Sequence, residues 1–169
     1  MQENSHPSMN MQGAVPCQEN VQNQSQQERI DRFVGAFAFL SNFFPSTFYY
    51  NGKKYATVEN AYQACKATSE EEHEVVRLAP SPGKAKQLGR QVTLREGWDG
   101  IKLDIMRELV RLKFENPLLR ELLLMTENAE LIEGNNWNDT YFGICRGRGE
   151  NWLGKILMDE RKRIRDEAE

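Results

Sequence analysis

Histidine and cysteine are scarce in this sequence. Only two histidines, His6 and His73, and three cysteines, Cys17, Cys65 and Cys145, occur in 169 residues. So few histidines exclude the usual zinc sites and any Ser-His or Cys-His nucleophile system, and neither a metal nor a cofactor is expected. The cysteines lie far apart, form no CxxC and cannot all pair, which points to a reduced compartment: the cytoplasm, or the nucleus in a eukaryote. No apolar run reaches the ~18 residues of a membrane span, and the first thirty residues lack a signal-peptide core, so no membrane partner is expected. Bulk charge of one sign is missing too. Against 22 Lys and Arg stand 25 Asp and Glu, a net charge of −3. This excludes a protein held to nucleic acid by cationic charge alone, though not one that contacts a single nucleotide or a strand end. Carboxylates, lysines, arginines and aromatics are left to carry any chemistry.

The chain divides near residue 30. Its first 27 residues hold seven glutamines and four asparagines, no aromatics, and only Val15 and Val21 as β-branched apolar residues. Such a segment buries too little apolar surface to offset its ordering entropy, so residues 1–30 are expected to be a disordered tail and 31–169 a single domain. From Phe33 the composition changes abruptly, with six Phe and Leu40 crowded between Phe33 and Phe48.

Asn51-Gly52, two residues that accept positive φ, predicts a β-hairpin over Thr47–Thr57. Thr57 then caps a helix from Val58 to about Thr68, and Ser69 with Glu72 forms a capping box for a second reaching Ala79. Pro82 starts a short helix to Gly89. The apolar stripe Ile101, Ile105, Leu109, Leu112 predicts the longest helix, Trp98–Phe114, and Asn116-Pro117 opens another to Met125. Ala129–Glu133 reads as a short strand, residues 135–150 as loop, and Asn151–Arg165 as a last amphipathic helix. The fold class expected is α+β, a helix-dominated single domain with a hairpin and a few short strands.

Five features stand out. Glu59, Gln63 and Lys66 fall at i, i+4 and i+7, within roughly 60° of arc on one helical face. A carboxylate, an amide and an amine are an odd choice for a buried face, and the alternative is a solvated face with Glu59 complementing the helix dipole. Phe39-Leu-Ser-Asn42-Phe43-Phe44 is an aromatic loop with a polar break, able to flank a flat ring, or core aromatics with an Asn in a turn. Trp98, at a helix start, either stacks on a ligand or anchors its helix. The segment Leu131–Gly143 brings Glu133, Trp137, Asp139 and Phe142 together; two acids in one loop suit a ribose, as in glycosidases, or are Asx-turn residues serving the local backbone. Last, Arg146-Gly-Arg148-Gly-Glu-Asn151-Trp-Leu-Gly-Lys155 is a basic, glycine-bearing loop opening onto a helix, a place where an anion is favoured. It is neither a Walker A nor a GxGxxG.

Taken together, Phe39–Phe43, Glu59–Lys66, Trp98 with Met106, Lys113-Phe114, Ile132–Asp139 and Asn151–Met158 resemble the YbiA-like family, also called NADAR for NAD- and ADP-ribose-associated proteins. The six blocks run in the family's order across residues 33–165. One departure is Phe142-Gly143, where the family usually has Trp-Gly; an aromatic wall stays but an indole N–H donor is lost. The resemblance implies N-glycosidase activity. One branch resembles enzymes that cleave ribosylamino-pyrimidine intermediates of riboflavin synthesis, and another removes ADP-ribose from guanine in nucleic acid. Each substrate carries ribose on an exocyclic amine of a heteroaromatic ring, so one apparatus serves both.

On this resemblance Lys66, Glu59 and Asp139 are the expected catalytic residues. Lys66 would attack the sugar through a Schiff base, and Glu59 or Asp139 would shuttle the proton. Asn42, Phe43, Gln63, Trp98, Glu133, Phe142, Arg146, Arg148, Asn151 and Lys155 are the expected substrate contacts, with Arg146, Arg148 and Lys155 suited to a pyrophosphate. The expected partner is an ADP-ribosylated guanine in DNA or RNA, or an ADP-ribose-like small molecule. The alternatives are a riboflavin-intermediate glycosidase, a non-catalytic ADP-ribose or NAD-binding module, and an interaction protein whose Gln-rich tail is the working part.

Overall fold

A computed structural model describes residues 28–167. In chain order the elements are β1 (Arg29–Ile30), a 3-10 helix (Gly35–Leu40), β2 (Phe48–Tyr50), β3 (Lys53–Tyr55), α1 (Val58–Ala64), α2 (Glu70–Arg77), α3 (Pro82–Leu88), α4 (Trp98–Lys113), α5 (Pro117–Leu124), β4 (Glu130–Leu131), β5 (Gly134–Asn135), β6 (Ile144–Cys145) and α6 (Trp152–Asp166). The described strands form three separate pairs, β1–β4 and β5–β6 parallel and β2–β3 antiparallel. This is the helix-dominated α+β fold that the sequence predicts. No described helix is long and apolar enough to cross a membrane.

Most boundaries follow from local chemistry. Asn51 and Gly52 take φ of 48° and 76°, closing the β2–β3 hairpin with Tyr50 opposite Lys53. Thr57, Ser69, Ser81 and Asn116 each accept a hydrogen bond from a first-turn N–H of the helix that follows. Two expectations differ. α1 stops at Ala64 rather than near Thr68, because the Lys66 carbonyl accepts from the Arg95 N–H at 2.8 Å and the Thr68 N–H reaches Thr93 O at 3.1 Å. Pairing with the 93–95 segment outcompetes another helical turn. The Ser69 capping box is half made: Ser69 accepts from the Glu72 N–H, but the Glu72 carboxylate turns to the Thr93 N–H and hydroxyl.

The expected tail lies outside the described residues up to Gln27. Its last two positions form β1, with Ile30 buried beside β4. The expected 135–150 loop contains β6, whose N–H of Ile144 bonds to the Glu133 carbonyl. The core gathers Leu109 and Val110 of α4 with Phe114 just after it, Leu153, Leu157 and Ile164 of α6, and Leu123 of α5. α1 lies inside, packed by α2, α3 and α4, and all seven of its residues are buried.

Candidate active site

A helix buried on every side has no solvated face, so its polar residues each need a partner. Asn60 finds one in the neighbouring chain: its amide donates to Arg77 O at 3.2 Å and Ala79 O at 3.1 Å, locking α1 to the end of α2. Glu59 and Gln63, 5% and 4% exposed, pair with each other, Gln63 Nε2 donating to Glu59 Oε1 at 2.8 Å. The Gln63 side chain lies so close to Gly89 that a Cβ there would sit 2.2 Å from its Oε1. The solvated-face alternative for this helix is therefore overturned.

Glu59, Gln63 and Lys66 open onto a cavity of about 470 Å³. One wall is a chain of rings: Trp98 leans on Tyr62 at 5.2 Å, and Tyr62 meets the edge of Phe142 at 5.3 Å. Another is the turn after the 3-10 helix, where the Asn42 carbonyl accepts the Glu59 N–H at 3.0 Å and Asn42 Nδ2 reaches Met106 Sδ at 3.5 Å. Phe39 and Leu40 of the same stretch go to the core, while Asn42 and Phe43 line the cavity. At the rim Phe43 and Trp137 stay 41% and 57% exposed. The Lys86 amine lies 5.8 Å from each of their ring centroids. Lys102, paired with Asp99, lies over Tyr141 at 4.2 Å. Asn42 Oδ1 and Gln63 Oε1 are buried acceptors without a hydrogen-bond partner among the described residues.

Three acids share the cavity with these lysines: Glu59, Glu133 and Asp139. Burial raises the Glu59 carboxyl above the usual range, against the pull of Lys86, Gln63 and Lys66. Burial, with Asp139 and Glu59 nearby, pushes Glu133 up to about 7, although Lys86 and Lys113 oppose it. Lys66 moves the other way. Burial lowers its amine, Glu59 opposes, and Lys86, Arg90 and Lys102 add to the lowering. Lys66 makes no ion pair among the described residues; its amine lies 5.4 Å from the Tyr62 ring centroid. Asp139 satisfies both readings of its segment. Its Oδ1 accepts from the N–H groups of Tyr141 and Phe142 at 3.1 and 2.9 Å, an Asx turn, while the residue lines the cavity. An amine held toward its neutral form beside carboxyls held toward their protonated forms is the setting for nucleophilic attack with proton transfer.

Nine of the thirteen expected site residues meet here: Asn42, Phe43, Glu59, Gln63, Lys66, Trp98, Glu133, Asp139 and Phe142. The other four do not. Arg146 and Arg148 are exposed, on a tight turn closed by bonds between Cys145 and Arg148, and line a separate shallow pocket with Asn138, Thr140 and Cys145. Asn151 is buried and engaged by the backbone, its Oδ1 accepting from the Glu133 N–H at 3.0 Å and its Nδ2 donating to Leu131 O at 2.9 Å. Lys155 is exposed with its amine 4.5 Å from the Trp152 ring centroid. The expected anion cradle at the start of α6 is already filled by the chain, since the Trp152 and Leu153 N–H groups donate to the carbonyls of Tyr141 and Phe142. Sequence reasoning did not single out Tyr62, Tyr141, Lys86 or Lys102 as site residues. The two tyrosines lie inside blocks it did mark, whereas a lysine on an amphipathic helix carries no signal of its own. Glu70, His73 and Glu74 are grouped closely enough for a metal, but they lie on α2 away from the cavity, and the Lys53 ammonium already bonds both carboxylates.

Comparison with known proteins identifies the family and the fold. The NADAR domain family model matches residues 25–165. The chain is 38% identical to N-glycosidase YbiA of Escherichia coli over 129 residues, 74% of this chain and 80% of that protein. It is also 38% identical to N-glycosidase Npun_R5314 of Nostoc punctiforme over 137 residues, 77% of this chain and 87% of the relative. Similarity extends to a longer protein, riboflavin biosynthesis protein VVA0006 of Vibrio vulnificus, 35% identical over 77% of this chain but 36% of its own length. The NMR structure of E. coli YbiA superposes with a TM-score of 0.73 at 34% identity, covering 86% of this chain and 92% of that one.

Proposed function

The chain belongs to the NADAR domain family, and from that premise we propose that it is an N-glycosidase, a hydrolase that separates C1 of a ribosyl group from the exocyclic amine of a heteroaromatic ring. The observation that carries the reading is the cavity at α1 and the residues just after it, where Lys66 sits with Glu59, Glu133 and Asp139 and its amine is lowered by burial. A pocket that only binds ribose has no need of such an amine.

The steps follow from the groups present. The substrate nitrogen pushes its lone pair onto C1, the C1–ring-oxygen bond breaks, and an acid protonates the released oxygen. Glu133, balanced at about 7, is the carboxyl best poised to give that proton, with Glu59 next to it. Neutral Lys66 adds to the C1 imine. A proton passes from its nitrogen to the base amine, the C1–base bond breaks, and the sugar stays on Lys66 as a Schiff base. Water then adds to C1 and releases both lysine and ribose. The unpartnered acceptor of Asn42 suits a ribose hydroxyl.

ADP-ribosylated guanine in nucleic acid is the substrate that this rim favours. Phe43 and Trp137 offer exposed ring faces to a base, and Lys86, without an ion pair among the described residues, offers an anion a charge between them. A ribosylamino-pyrimidine with at most one phosphate uses less of that rim; the naming of the Vibrio relative keeps it as the second reading. Product analysis after incubation with guanine-ADP-ribosylated oligonucleotide, alongside ribosylamino-pyrimidine, tests the choice. Release of ADP-ribose and intact guanine supports the first reading, and turnover confined to the pyrimidine replaces it with the second.

A further inference from the structure

Cations on the long helices of this fold come with acids. α4 pairs Lys102, Arg107 and Arg111 with acids one turn away, and α6 does the same with Lys162 and Arg163. Such pairs are ordinary on a helix face that meets only water. The stretch between Glu74 and Glu96 breaks the pattern. It holds Arg77, Lys84, Lys86, Arg90 and Arg95 and no acid, in a chain whose net charge is −3. Arg77 pairs with Glu74; the other four make no ion pair among the described residues. Glu72 of α2 reaches this stretch, but its carboxylate is spent on the Thr93 N–H and hydroxyl. Glu96, exposed at the far end, pairs with no cation among the described residues.

The fold sets these charges beside the cavity. Gly89 lies so close to the Gln63 side chain that a Cβ would sit 2.2 Å from Oε1, and its bareness lets the end of α3 rest on α1. Lys86, one turn earlier, lines the cavity between the exposed rings of Phe43 and Trp137, its amine 5.8 Å from each centroid. Arg90, directly after Gly89, is exposed. The Arg95 N–H bonds to the Lys66 carbonyl at 2.8 Å, while its exposed guanidinium reaches the Cys65 carbonyl at 3.4 Å. Burial lowers the Lys66 amine against the pull of Glu59, and Lys86 and Arg90 add to the lowering. Cations spread along a segment suit successive phosphates better than a single one, and exposed rings at the same rim suit unstacked bases. A modified base inside a duplex would have to leave its stack to bring C1 of its ribose to Lys66, whereas a single strand meets no such cost.

We propose that the acid-free stretch from Lys84 to Arg95 is a docking surface for the backbone of a single-stranded nucleic acid: the modified base enters the cavity beside Lys66 while flanking phosphates lie on Lys86, Arg90 and Arg95. This extends the substrate from one nucleotide to a strand. Its link to turnover rests on the N-glycosidase reading; the binding itself does not.

Fluorescence anisotropy with a labelled, unmodified single-stranded oligonucleotide of about ten nucleotides tests the surface without turnover. The wild-type full chain should bind at low salt, with log affinity falling linearly in log salt. Arg90→Gln combined with Arg95→Gln should weaken binding about tenfold or more and flatten the salt slope by about 1.4, roughly 0.7 for each lost phosphate contact. Arg107→Gln combined with Arg120→Gln removes the same charge from α4 and α5 and should change affinity by less than about threefold. No binding by the wild type, or an equal loss in both double variants, overturns the proposal. Kinetics supplies a second arm. In the Arg90 and Arg95 variant, kcat/KM for guanine-ADP-ribosylated oligonucleotide should fall about tenfold further than for ADP-ribosylated guanosine. Equal falls would confine these cations to the ADP-ribose itself and overturn the strand surface. Should the double variant not fold, Arg90→Gln alone carries the same comparison with a slope change of about 0.7, and an unmoved slope overturns the proposal. A wild type that binds the strand with this salt dependence but cleaves no N-riboside leaves the surface standing and places the failure on the functional reading.

Discussion

Two stretches of this chain, the α1 face and the 146–155 loop, carry similar promise in the sequence and end in opposite surroundings. α1 sets Glu59 and Gln63 on one side of a short helix that the fold buries completely, with half-buried Lys66 just beyond its end, and the three open onto a cavity. The loop alternates arginine with glycine before a helix start, yet Arg146 and Arg148 face solvent, and the first amides of α6 are taken by Tyr141 and Phe142. Residue type and spacing are equally suggestive in both. The difference is what the surrounding chain has already satisfied: a helix N-terminus with its N–H groups spent is no longer an anion site, whereas a buried carboxylate and amine keep demanding partners.

Substitutions sharpen this contrast. Lys66→Met should lower kcat by at least about 10³-fold with little change in melting temperature, since it removes the nucleophile and relieves a buried amine; a fall in stability with normal turnover per folded molecule would return Lys66 to a structural role. Glu133→Gln should cost about 10²-fold. In the wild type, kcat should fall toward low pH as Lys66, whose amine burial lowers, gains a proton, and toward high pH as Glu133 loses its own; the alkaline limb should disappear in Glu133→Gln. Asn151→Ala leaves the Glu133 N–H and the Leu131 carbonyl without their partner, so unfolding experiments should show a loss of about 1–3 kcal/mol. The smallest effect is expected at Arg146→Gln and Arg148→Gln, where stability should stay within ~0.5 kcal/mol and turnover of an ADP-ribosyl substrate near the wild-type rate. A steep loss there, deepening with salt, would show that the substrate extends to the shallow pocket after all.

Much of this was legible in the sequence because it is local. Asn51-Gly52, the capping Thr57, Ser69 and Asn116, and the Ile101–Leu112 stripe specify their elements by short-range chemistry, and the hairpin and most of the helices form accordingly. The early end of α1 was not legible, since the Lys66–Arg95 bond that stops it joins segments distant in sequence. The same limit applies to the site. Asn42 and Asp139 stand out as polar among aromatics and Glu59 by its spacing with Gln63 and Lys66, but Lys86 and Lys102 gain meaning only when α3 and α4 are folded around α1. Asn151 belongs to a block that matches the family, and the fold uses it to hold the end of β4 and the Glu133 backbone just after it.

The central claim is that Lys66 itself forms a bond to the sugar. Sodium borohydride added during turnover of the guanine-ADP-ribosylated oligonucleotide, followed by peptide mass spectrometry, tests it most directly. A reduced sugar adduct on the peptide containing Lys66, absent from Lys66→Met, is the predicted result. Normal cleavage with no adduct on any lysine would contradict it and leave direct attack by water, assisted by Glu59, Glu133 or Asp139, as the mechanism.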